Sequence, residues 1–161
     1  MKIINKLKTF FAQRPKTMLL LIEAYLFLGW ARILKKVPFS KVAPLLGEHM
    51  YETPHHYNSK GNNERVKNIS HAIHIMSKYT LWESQCLVKA MAGMKMLERR
   101  GIDSTLYLGT GRDDAGQMIA HAWLRSGPYY ISGAEGMEKF TIVSMFAKKI
   151  SNTPAEGESD E

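Results

Sequence analysis

Leu81-Trp82-Glu83-Ser84-Gln85-Cys86-Leu87-Val88-Lys89-Ala90-Met91-Ala92, running on to Arg99-Arg100-Gly101, is the stretch from which the rest of the chain can be read. Cys86 is the single cysteine among 161 residues. Ser84 suits a helix N-cap and Gly101 the position just past a helix end. Together they predict a helix of about 16 residues with Cys86 in its first turn. Orphan amides and the helix dipole favour an anion there, and therefore the thiolate. Leu87, Ala90, Met91, Met94 and Leu97 form a stripe that should face a sheet.

Downstream, Thr105 to Thr110, Met118 to Arg125 and Pro128 to Ser132 read as three strands, with Ser126-Gly127 as a hairpin turn. Gly109-x-Gly111 lacks the third glycine and the helix of a dinucleotide fingerprint, so it reads as a tight turn. Period-two alternation puts His121, Trp123 and Arg125 on one face of the second strand, and Ala120, Ala122 and Leu124 on the other. A cysteine opening a helix, followed by a strand histidine, is the layout of a papain-like or transglutaminase-like thiol site. If the Cys86 helix lies on the His121 side, the imidazole can take the thiol proton, and amides at the helix start can serve an oxyanion. Gln85 could add a side-chain donor, against a plain solvated role. Spacing alone leaves the bland reading open: a small buried cysteine and a half-buried histidine.

Four pieces carry a resemblance: Trp82-Glu83-Ser84-Gln85-Cys86-Leu87-Val88-Lys89-Ala90, Leu97-Glu98-Arg99-Arg100-Gly101-Ile102, Leu106-Tyr107-Leu108-Gly109 and Ala120-His121-Ala122-Trp123. In order and spacing the region from about Arg65 to Phe146 resembles the bacterial leader peptidases of lasso peptide biosynthesis. These B-proteins, or microcin-processing proteins, belong to the transglutaminase-like superfamily. The apolar helices around Leu19 to Leu34, then Val37-Pro38-Phe39 and Leu45-Leu46-Gly47, are similar to the family's opening, so the likeness covers nearly the whole chain.

The resemblance implies an α+β fold, with a papain-like or transglutaminase-like cysteine protease core behind an N-terminal helical part. It implies a cysteine peptidase that cuts the leader from a ribosomally made precursor at Cys86 with His121 as base. No cofactor or metal is implied. The implied partners are the precursor peptide, a leader-recognition protein acting in trans and an ATP-dependent macrocyclase. The family usually orients its histidine with an aspartate about a dozen residues on. Here that stretch is Tyr130-Ile131-Ser132-Gly133, so the pattern departs at this position. Ser132, a backbone carbonyl of this strand, or Glu135 nearby are the candidates to replace it. With the turn at Ser126-Gly127, His121 lies across from Ser132, and a one-residue bulge would bring Gly133 there instead. A protein that keeps the fold as a non-catalytic or amide-transferring scaffold for precursor and cyclase is the alternative.

An apolar fraction of 45% suffices for a modest core and one domain. We divide the chain into an N-terminal helical segment at 1–50, a core at 64–150 and an acidic, disordered tail at 151–161. A single cysteine excludes an internal disulfide framework and favours the cytoplasm. Residues 4–13 read as a short amphipathic helix and 17–36 as a long apolar one. Glu23 interrupts the second, which therefore reads as a buried helix. Peripheral membrane contact is the second reading, because Lys2, Lys6, Lys8, Arg14 and Lys16 precede the run and Arg32, Lys35 and Lys36 follow it. The net charge is +7, yet no zinc-finger or RNA-binding signature accompanies it, so we expect no nucleic acid. Residues 49–63 read as a loop, 64–79 as a helix and 137–149 as a last helix or irregular cover. His55-His56 and the pair His71 and His74 read as solvated rather than metal ligands. Trp82 and Trp123 read as packing residues, and Asp113-Asp114 as a solvated turn or the lining of a groove.

Overall fold

The computed structural model describes residues 14–56 and 61–150. The amphipathic stretch at 4–13 and the acidic tail at 151–161 lie outside the described residues. The elements are α1 (Pro15–Leu34), α2 (Phe39–Leu46), β1 (Glu48–His49), α3 (Asn62–Met76), α4 (Cys86–Glu98), β2 (Ser104–Arg112), β3 (Met118–Ser126), β4 (Tyr129–Ser132), a 3-10 turn (Met137–Lys139) and β5 (Thr141–Lys148). The fold is α+β: helices pack on a five-stranded antiparallel sheet of order β1-β5-β2-β3-β4.

Pro15 presets the first turn of α1, where its missing N–H costs nothing. Leu21, Ala24, Leu28 and Ala31 then recur at helical spacing and are buried against α3 and α4. The opposite side stays open, with Leu19, Leu26 and Ile33 each more than 60% exposed. The helix is long and apolar enough to cross a membrane, yet one face of it belongs to the core. Glu23 is not an interruption. It accepts from Arg100 Nη2 at 2.6 Å and joins α1 to the end of α4. That hydrogen bond holds the Arg100 guanidinium above its ordinary pKa.

Residues 137–149 are a correction. After the short 3-10 turn they form β5, which pairs with β2 on one side and β1 on the other. Helix formers such as Met145, Ala147 and Lys148 hide the strand because its pairing, not its local preference, decides the conformation. Its inner end is also covered on both faces, with Phe146 and Ala147 both buried, so apolar and polar residues do not alternate there.

α4 lies on the Ala122 and Leu124 face of the sheet, opposite to the approach that would put it beside His121. A Cβ on Gly93 would meet Leu124 Cδ2 at 2.9 Å, so helix and sheet approach closely here and a larger residue would require Leu124 to shift. Leu106, Ala122, Leu124 and Ile131 join the α4 side chains in one core. The other face of the sheet carries Tyr107, Trp123 and Arg125, closed by the segment at residues 50–56. Arg125 is 1% exposed, and its guanidinium donates to Thr53 O at 2.7 Å, Pro54 O at 3.1 Å, Gly127 O at 2.8 Å and Tyr107 Oη at 2.9 Å.

Candidate active site

Cys86 opens α4 at its first helical position, with Gln85 rather than Ser84 as the N-cap residue. Ser84 is occupied elsewhere: its Oγ lies 2.9 Å from Thr80 Oγ1. No side chain caps the helix. The first intrahelical bond runs from Lys89 N–H to Gln85 O at 3.0 Å, so the amides of Cys86, Leu87 and Val88 precede it and point from the helix end. Cys86 itself is half-buried at the edge of the core. The exposed Gln85 side chain accepts from Lys35 Nζ at 3.4 Å and donates to Glu83 Oε1. It is therefore engaged with neighbours and does not project as a free donor. Trp82 packs against Tyr25 of α1 with ring centroids 5.1 Å apart and planes tilted by 55°.

His121 sits on β3 opposite Gly109 of β2. Its ring stacks between Phe140, 4.8 Å away by centroids, and Trp123, at 5.7 Å. Trp123 in turn stacks on Tyr107 at 5.6 Å. Nε2 of His121 lies 2.7 Å from the carbonyl oxygen of Gly133. A carbonyl only accepts, so Nε2 carries the proton and Nδ1 of the neutral ring is the free base.

Ser132 and Glu135 do not hold the ring. The hairpin turn is Gly127-Pro128, since Ser126 pairs with Tyr129 and Arg125 with Tyr130. A bulge follows, and Ser132 comes to oppose Leu124. That turns Ser132 to the helix side of the sheet, away from His121, where its buried Oγ has no hydrogen-bond partner. Glu135 is exposed, and no hydrogen bond or ion pair joins it to His121. The bulge brings Gly133 to the ring, with its main-chain oxygen as the acceptor. Gly133 has φ +75°, and a Cβ there would fall 2.3 Å from Ala122 O, so the carbonyl is held by a conformation and a contact that glycine alone satisfies. Phe140 had no local signal in the sequence, because its place beside His121 depends on the pairing of β5 with β2.

Cys86 and His121 occupy the same end of the fold. The end of α4 leads through Gly101 into β2, whose first residues pair with the Arg125 end of β3. From the contact of Gly93 with Leu124, α4 runs back about 10 Å to Cys86 at 1.5 Å per residue. β3 runs back about 10 Å to His121 at roughly 3.3 Å per residue. Among the described residues no hydrogen bond joins the thiol to the imidazole.

Other singled-out residues have structural places. Asp113 Oδ1 accepts from the amides of Ala115 at 3.0 Å and Gln117 at 2.8 Å and so builds the β2–β3 turn. Tyr107 Oη donates to Glu52 and accepts from Arg125; burial, then the Glu52 bond, push its pKa up to about 12. Among the described residues no group of three or more His, Cys, Asp or Glu side chains is placed to hold a metal.

A family model described as the transglutaminase-like superfamily matches residues 33–145. Searches of the curated proteins and of the solved structures give no match.

Proposed function

Because the chain belongs to the transglutaminase-like superfamily, we propose that it is a cysteine peptidase of lasso peptide biosynthesis, which cuts the leader from a ribosomally made precursor. The observation that carries this reading is that Cys86, on an uncapped helix start, and a histidine whose Nε2–H is fixed on Gly133 O lie toward the same end of the fold. In this mechanism Nδ1 of His121 takes the thiol proton. The thiolate attacks the scissile carbonyl, with amides of the α4 start serving the oxyanion. The imidazolium returns the proton to the leaving amine, and water then releases the acyl group from Cys86. Catalytic hydrogen bonds are often long before substrate binds, and this mechanism requires the thiol–imidazole contact to form when the precursor binds.

In this reading the protein works in the cytoplasm with a leader-recognition protein acting in trans, and hands the core peptide to an ATP-dependent macrocyclase. The exposed side of α1, with Leu19, Ile22, Leu26 and Ile33 beside Arg32, Lys35 and Lys36, suits peripheral contact with an anionic membrane. One observation favours a second reading, a non-catalytic or amide-transferring scaffold: a neutral carbonyl, not a carboxylate, orients His121.

Mass spectrometry of precursor incubated with the protein and its partners separates these. Hydrolysis yields two peptides and transfer yields a joined one. Cys86→Ala should abolish cleavage and leave the fold intact, since alanine suits a helix. More than a few per cent of residual cleavage by the folded variant would sink the thiol mechanism. A Cys86 that iodoacetamide labels no faster than a free thiol favours the scaffold.

A further inference from the structure

A cavity of about 350 Å³ opens between α3, the first turns of α4 and the edge strand β4. Its wall carries Lys67, His71 and His74 from α3 and Lys89 from α4, and no acidic residue. Lys67, His71 and His74 recur at i, i+4 and i+7, so one face of α3 presents all three to the same space. Lys67 Nζ lies 5.1 Å over the Tyr129 ring at the cavity mouth. Among the described residues no carboxylate pairs with any of these four side chains. Lys67 and Lys89 bring two positive charges to the space without a counter-charge, and an anion relieves their repulsion.

Two links tie this cavity to the candidate active site. Gly133, whose carbonyl holds His121, is part of the wall. Lys89 follows Cys86 by three residues on the same helix, so its side chain stands about one turn, roughly 5 Å, from the thiol position. The frame is fixed as well, since Ser70 Oγ of α3 donates to Ile131 O of β4 at 2.7 Å. The cavity therefore keeps its place relative to both Cys86 and His121.

We propose that this cavity is a subsite for the carboxylate side chain of a glutamate or aspartate in the peptide, close to the bond cut at Cys86. It rests on the peptide-cleaving reading above and adds to it the chemistry of a flanking substrate residue. β4 is the last strand of the sheet, so an extended peptide running along this side of the fold can pass the cavity and drop one side chain into it. The two lysines then supply charge and the two imidazoles hydrogen-bonding nitrogens to the acid, and a neutral isostere lacks the charge the lysines answer.

The test measures binding without turnover, in Cys86→Ala protein. The imidazole resonances of His71 and His74 are followed by NMR while acetyl-Ala-Glu-Ala-amide is added up to about 10 mM. The controls are acetyl-Ala-Gln-Ala-amide and acetyl-Ala-Gln-Ala with a free α-carboxylate. We expect saturable shifts with the glutamate peptide only. The affinity should fall about tenfold in Lys67→Gln/Lys89→Gln, as two partly exposed charge pairs would give. Lys67→Arg/Lys89→Arg should restore it, which separates lost charge from lost fold. Absent shifts, equal shifts with glutamate and glutamine, stronger shifts with the free α-carboxylate, or unchanged affinity in the glutamine variant each overturn the subsite. Glutamate-dependent binding together with a wild-type protein that cleaves nothing would overturn the peptidase reading and leave the subsite standing.

Discussion

Replacing Gly133 by alanine tests the main-chain support of His121. The residue has φ +75°, which costs an L-residue about 1–2 kcal/mol. The new Cβ would lie 2.3 Å from Ala122 O and 2.9 Å from Trp123 Cα, atoms of the neighbouring backbone that no rotamer change can clear. Overpacking of this kind typically costs a further 1–3 kcal/mol, so Gly133→Ala should lose about 2–5 kcal/mol of stability. The strand must shift to relieve the contact, and Gly133 O moves off His121 Nε2. Losing one hydrogen bond of about 1 kcal/mol should lower kcat roughly fivefold in the protein that remains folded. Ser132→Ala is the contrast, because its Oγ is buried without a partner and leaves no acceptor bereft. It should keep its stability within about 1 kcal/mol and its kcat within about twofold. Urea denaturation gives the stability, precursor cleavage under saturating substrate gives kcat, and ¹⁵N shifts of His121 report the tautomer. A tenfold loss of kcat in Ser132→Ala at unchanged stability would refute the reasoning. So would a folded Gly133→Ala with wild-type kcat and an unaltered Nε2–H tautomer.

His121→Ala removes the base and should cost about 10²–10⁴-fold in the acylation step; normal cleavage by this variant means His121 is not the base. Arg125→Met strands the carbonyls of Thr53, Pro54 and Gly127 in a buried site, and should lower stability by about 3–5 kcal/mol in denaturant titrations. An unchanged midpoint would mean the 50–56 segment is held by other contacts. Tyr107 releases its proton near 12 in the folded protein and near 10 when unfolded. Its raised folded value makes its contribution complete below pH 10 and progressively lost as pH climbs towards 12. Tyr107→Phe should remove about one proton's worth of that pH dependence, and a slope equal to wild type between pH 10 and 12 would contradict the assignment.

Local signals carried α1, α3, α4 and the hairpin of β2 and β3, but not α2, whose stretch between Pro38 and Pro44 reads as punctuation. Pro15, the apolar spacing from Leu21 to Ala31, and Cys86 ahead of a stripe ending at Leu97 act within a few turns of chain, where propensity and periodicity are physical forces. The same local logic brought Cys86 and His121 forward as the pair to watch. It also left the main-chain carbonyl open as the histidine's partner, because the residues that would decide between candidates differ only in register. The tertiary structure decided the rest. A bulge at Ile131 rather than a regular ladder turned Ser132 inward and delivered Gly133 O to the ring, and one residue of slip exchanges the faces of a strand. β5 exists because β1 and β2 supply its hydrogen bonds, which no window of its own sequence contains. Glu23 found Arg100, and Arg125 found the carbonyls of residues 53 and 54, across long stretches of chain. Such pairings are energetically decisive only where burial removes water, and burial is a property of the assembled fold rather than of any stretch of residues.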